Sequence, residues 1–193
     1  SIIESLKLEK EHELFVILDI IQKWDRKTDI DSQGAGFYGV LYYQLVSSYR
    51  DDIQRNNNTV SKETLLSALK DVKRYLIDNF ESTDITLGDF QKLVRGDKEL
   101  PIWGLPDVIT AMSSRPYKDG MRKVTQGESY IGLVRFNKEG PILESVISFG
   151  NSDDPSSDHY TDQMEMYSKF QTKKMTFNKG DIYKNAKSIY NPN

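Results

Sequence analysis

Two groups of residues have the types and spacing for chemistry. His159, one of two histidines, stands among Asp158, Tyr160 and Asp162, the company of a general base oriented by a carboxylate. No Ser-centred nucleophile elbow accompanies it. The preceding Asp154-Pro155-Ser156-Ser157 has turn composition, and the preferred reading is a turn that His159 to Gln163 fasten to a sheet through side-chain hydrogen bonds. His12 has no partner pattern and is read as an ordinary helix residue. Asp25, Asp29 and Asp31 with Gly34 offer the alternating oxygen ligands of a calcium loop. Counted from Asp29, the closing carboxylate position falls on Val40, so an EF-hand is rejected. These acids are read as a helix stop followed by the cap and N-terminal charge of the next helix. Gly34-Ala35-Gly36 lacks the strand and further glycines of a phosphate loop. Met164, Met166 and Tyr167 are read as core.

The elements that must hold these residues follow from periodicity. Tyr130 to Phe136 and Ile142 to Phe149, rich in β-branched and aromatic residues and joined by a turn at Asn137 to Pro141, predict an antiparallel hairpin. The first strand is apolar on both faces, with Tyr130, Val134 and Phe136 on one and Ile131 and Leu133 on the other. Cover on both sides is therefore expected, and less for the second strand. Upstream, Leu14, Ile17, Leu18, Ile21 and Trp24 predict an amphipathic helix from about Ser5 to Trp24. A second runs from Ser32–Gly36 to about Arg50, a third follows an N-cap at Ser61 with Leu65, Leu69, Val72 and Leu76 inward, and Thr86 with Asp89 opens a fourth that Gly96 closes. Arg50 to Thr59 is read as a mobile loop and Pro101 to Pro106 as an ordered, lid-like connection held extended or turned by its prolines. One or two helical turns are expected over Asp107 to Ser113, a loop over Ser114 to Gln126, a helix or turn over His159 to Phe170, and a last helix from Asn178 to Ile189. The organisation is α+β: a helical segment over 1–98, then antiparallel strands with short helices over 99–193, in one structural unit.

With 26 basic and 29 acidic residues the net charge is −3, so nothing favours nucleic acid or an anionic membrane as partner. No apolar run approaches the roughly 20 residues that span a bilayer. The absence of cysteine excludes disulfides, thiolate metal sites and a cysteine nucleophile.

Gly127-Glu128-Ser129-Tyr130-Ile131 before a strand, Gly140-Pro141 at its turn and the run from Phe149 through Asp162, Gln163 and Tyr167 together resemble the C-terminal part of the β-chain of the penicillin acylase family. Trp24-Asp25 followed by Ser32-Gln33-Gly34-Ala35 is similar to that family's junction between two helices. The family comprises N-terminal-nucleophile hydrolases acting on penicillins, cephalosporins, acyl-homoserine lactones and lipopeptides. The resemblance implies an αββα sandwich to which the hairpin contributes strands. It also implies an N-acyl amide substrate for the parent, partners in the upstream β-chain and the α-chain, and a periplasmic or secreted location. Trp24, Asp25, His159, Tyr160, Asp162 and Gln163 are its structural motif residues. The family's nucleophile is a β-chain N-terminal Ser whose α-amino group, ordinarily of pKa about 7.7 to 8.0, serves as base.

Ser1 is disfavoured for that role because it enters a charged amphipathic segment and not a buried strand. The oxyanion Asn and any calcium ligands of relatives lie upstream, so Asn56, Asn57 and Asn58 inherit nothing and no cofactor is expected. This chain is then expected to be an inactive C-terminal piece of an amidohydrolase. The alternative is a non-enzymatic α+β protein-interaction module.

Overall fold

A computed structural model describes residues 6, 7 and 12–188; Ser1 and the expected ends of the first and last helices lie outside them. The chain forms two compact units, 1–127 and 128–193. The division falls after Gly127 and not near residue 98, because the first sheet recruits strands from both sides of 98.

In the first unit, helix α1 spans Phe15–Lys23 and buries Ile17, Leu18 and Ile21. It starts later than its periodicity predicts: His12 accepts from the Leu14 and Phe15 amides in a turn, outside the helix. Helix α2, Gln33–Ser48, is capped by Ser32, whose side chain accepts from the Ala35 amide, and Gly34 to Phe37 in its first turn are buried. Small residues allow this. A Cβ on Gly36 would lie 2.6 Å from the Thr86 carbonyl carbon.

The segment read as a mobile loop is instead a short helix, α3, Arg50–Arg55. It buries nothing, so it carries no apolar period, and Asp51 and Asp52 at its start with Arg55 at its end suit the helix dipole. Left-handed Asn57 and Asn58 end it. Helix α4, Lys62–Phe80, begins at the Ser61 cap, buries Leu65, Leu69, Val72 and Leu76, and ends at left-handed Glu81. Helices α1, α2 and α4 share one core with Leu87 and Phe90.

Helix α5 is only Leu87–Phe90, with both halves of the Thr86–Asp89 capping box formed. The helix expected as far as Gly96 gives way at Gln91 to strand β1, Gln91–Arg95, and Gly96 makes the turn into β2, Lys98–Pro101. The predicted loop after Ser113 is likewise replaced by strands β3, Met112–Pro116, and β4, Arg122–Gly127. No helical turn forms over Asp107 to Ser113. The sheet order is β2-β1-β4-β3, with β1 and β4 parallel and the other pairs antiparallel. Sequence patterning missed these strands because they are short and carry Lys, Arg and Ser on their open positions. The Pro101–Pro106 connection bends at left-handed Gly104, and Ile102, Trp103 and Leu105 are fully buried.

In the second unit, β5, Tyr130–Asn137, and β6, Gly140–Ile147, form the predicted hairpin in register from Tyr130–Ile147 to Asn137–Gly140. A third strand, β7, Lys173–Met175, pairs with β6. Burial along the hairpin is the reverse of the expectation. β5 is open, with Phe136 82% exposed, whereas β6 buries Ser145 and Val146. β6 is the central strand and lies in contact with the short helix α6, Met164–Ser168, while β5 is an edge. Helix α7, Lys179–Asn185, starts at Asn178, whose side chain accepts from the Asp181 amide.

Candidate functional site

The residues singled out by sequence fall into two groups, one in each unit. In the first, Trp24 ends α1 in an extended conformation, stacks on Tyr38 with ring centroids 4.9 Å apart, and donates its indole N–H to the Lys27 carbonyl at 2.7 Å. Gly34 sits directly beneath it. A Cβ there would lie 2.3 Å from the Trp24 side chain, which explains why this junction takes glycine in the first turn of a helix. Asp25 accepts from the Lys27 amide at 3.0 Å and pairs with its ammonium at 3.6 Å.

The segment between Asp25 and Ser32 is tied down by backbone bonds, from Gly88 N to Ile30 O at 2.8 Å and from Gly104 N to Thr28 O at 3.1 Å. Buried Gln91, a residue with no sequence signal, extends this network by donating to the Gly104 carbonyl at 2.8 Å. Asp19, Asp25, Asp29 and Asp31 border a cleft of about 680 Å³. Asp19 is paired with Lys23 at 2.7 Å. Among the described residues no group of three or more His, Cys, Asp or Glu is placed to hold a metal ion.

In the second unit, Asp154 accepts from the Ser156 amide and hydroxyl at 2.9 and 2.8 Å. These bonds hold its carboxyl below the usual range. The turn then leads to His159, whose Nδ1 lies 2.8 Å from Asp162 Oδ2. His159 and Gln163 clasp the end of β6. The His159 carbonyl accepts from Ser152 N at 3.2 Å, Gln163 N donates to Phe149 O at 2.8 Å, and Ile147 N donates to Gln163 Oε1 at 3.3 Å. Gly150 is required here, since a Cβ would lie 2.0 Å from the His159 carbonyl. Tyr160 donates its backbone N–H to Ser157 O at 3.0 Å. Next to the clasp, fully buried Tyr167 donates its hydroxyl to the Glu128 carbonyl, and burial raises its pKa.

Chemically, both groups are fasteners. The His159 ring meets a carboxylate, yet no hydroxyl of the described residues bonds to it; Ser157 Oγ accepts from the His159 backbone instead, at 3.1 Å. Acyl transfer needs nucleophile, base and oxyanion donors to converge, and neither group provides that.

The penicillin amidase family model matches residues 2–184. The chain belongs to the penicillin amidase family. The acyl-homoserine lactone acylase PvdQ of Pseudomonas savastanoi pv. phaseolicola is 27% identical over 183 residues, covering 84% of this chain and 23% of that protein. The PvdQ acylase of Pseudomonas fluorescens Pf-5 is 33% identical over 103 residues, covering 52% of this chain and 13% of that protein. A thermostable penicillin G acylase from Alcaligenes faecalis aligns in structure with 97% of this chain and 44% of its own, at 14% identity and a TM-score of 0.46. The chain thus spans about a quarter of the length of the first of these curated relatives.

Proposed function

We propose that this chain is a C-terminal β-chain portion of an amidohydrolase that cleaves N-acyl amides, with an acyl-homoserine lactone or a β-lactam side chain as the substrate class. The family match over 2–184 carries the reading, and the relatives named acyl-homoserine lactone acylases support the choice of substrate class. Within the enzyme the chain is structural. Its Trp24–Gly34 and His159–Gln163 fastenings hold helix and strand ends, and the nucleophile and oxyanion donors come from elsewhere in the protein. The open, apolar β5 edge supports a place in an αββα sandwich completed by the upstream β-chain, with the α-chain as further partner. A periplasmic or secreted location, and calcium held by upstream ligands, belong to the same proposal.

The test is hydrolysis of N-acyl-homoserine lactones and a chromogenic N-acyl amide, measured for the intact protein and for the chain 1–193 alone. Turnover by the intact protein and none by the chain is expected. Turnover by the chain that disappears in Ser1→Ala would make Ser1 the nucleophile and overturn the structural role. An intact protein inert on every N-acyl amide would favour the interaction module.

A further inference from the structure

The first unit contains a second cleft, of about 440 Å³, bordered by α2, α4 and the ends of β3 and β4. Fully buried Val40 and Phe90 line its depth, and Val46 and Pro116 stand at its exposed rim. Its volume is that of a small-ligand pocket, and such pockets combine apolar walls with a few orienting polar groups.

The polar group that is not used up is Arg122. Its guanidinium carbon lies over the Tyr43 ring, 3.5 Å from the centroid. Nε donates to Ser114 Oγ at 3.2 Å and Nη2 to the Ser114 carbonyl at 2.5 Å. Those bonds use two of its five N–H groups, and a side-chain hydrogen bond with Tyr43 also supports the charge, which leaves at least two N–H groups open. Tyr43, whose hydroxyl takes the Ser114 amide at 2.9 Å, completes a frame that fixes the plane of the fork. No carboxylate of the described residues pairs with Arg122, and burial disfavours its charge. A half-buried cation without a counter-ion is costly. The cleft beside it is lined by no other charged side chain.

We propose that this cleft binds a small monocarboxylate with an apolar tail, the carboxylate on Arg122 and the tail along Val40, Phe90 and Val46. A guanidinium fork matches a carboxylate with two parallel hydrogen bonds, and a single cation suits one negative charge. The site stands apart from the proposed amide hydrolysis and does not depend on it.

Octanoate is the probe, with 1-octanol as its neutral counterpart, titrated into the intact protein by equilibrium dialysis. One saturable octanoate equivalent per chain is expected, with octanol bound about tenfold or more weakly, the scale of a hydrogen bond to a charged group. Arg122→Met is expected to weaken that equivalent by about tenfold or more and leave octanol unchanged, and Arg122→Lys to restore part of the loss. Because Arg122 also supports Ser114, a second variant, Val46→Trp, fills the cleft from its rim with Arg122 intact and is expected to remove the equivalent. Binding elsewhere in the protein persists in both variants and is thereby separated. The proposal is overturned if octanoate does not saturate, if Arg122→Met binds it like the unaltered protein, or if Val46→Trp loses no equivalent.

Discussion

Gly34 and Trp24 form a lock in which one residue type is set by the other. With a Cβ only 2.3 Å from the indole side chain, Gly34→Ala is expected to destabilise the protein by about 1–3 kcal/mol, the range for over-packing. In a Trp24→Gly background the obstruction, which includes the Trp24 Cβ itself, is gone and alanine's better helix propensity takes over, so the same substitution becomes neutral or favourable. Chemical denaturation of the four proteins measures this coupling. Additive effects would show that the two residues do not oppose each other. At Asp154 the effect is electrostatic: hydrogen bonds from Ser156 depress its folded pKa. Its contribution to stability is therefore complete above the ordinary carboxylate range near about 3.9 and fades as pH falls through the depressed value. NMR titration is expected to show Asp154 below that range and Ser156→Ala to return it towards normal.

Caps and inter-helix bonds decide the elements. The Thr86–Asp89 box stands where α5 must turn at once into β1, and Thr86→Ala is expected to cost about 1 kcal/mol in denaturation midpoint experiments. Tyr49, at the end of α2, donates its hydroxyl to Asp71 of α4 at 2.6 Å. Burial first, then this bond and the Asp71 charge, push the phenol up to about 12. The folded state thus keeps a proton that the unfolded chain loses near about 10. The contribution is fully present below that pH and is lost as pH rises towards about 12. Alkaline unfolding should therefore be shallower over this window in Tyr49→Phe; an unchanged profile would show that the phenol is not linked to folding.

Over the whole chain, the open β5 strand is the feature with the widest consequence. Leu133 and Val134 lie on opposite faces, and each is more than half exposed, on an edge that also presents unpaired backbone. The chain 1–193 by itself is expected to self-associate with concentration in sedimentation velocity, and Val134→Lys with Phe136→Lys to shift it towards monomer. A monomer at all concentrations without these changes would mean that the edge is not adhesive.

Much of the helical organisation was legible in order along the chain. Ser61 with Leu65, Leu69, Val72 and Leu76 specified α4, Thr86 with Asp89 specified a cap, and the alternating apolar runs around Gly140 specified the hairpin, because each is a local pattern with its own periodicity. The Trp24–Gly34 and His159–Gln163 groups were visible as motifs. That they fasten helix and strand ends emerged only from the backbone partners each meets. Short strands β1 to β4 escaped notice because their pairing partners are distant and their open positions polar. α3 escaped because a helix with no buried face leaves no period. Which hairpin strand is covered depended on sheet order, a property of neighbours and not of the strand itself. The Arg122 fork was equally invisible: its neighbours Tyr43, Tyr75 and Phe90 are brought to it from three other elements, and only the folded chain places a half-buried cation beside an apolar cleft.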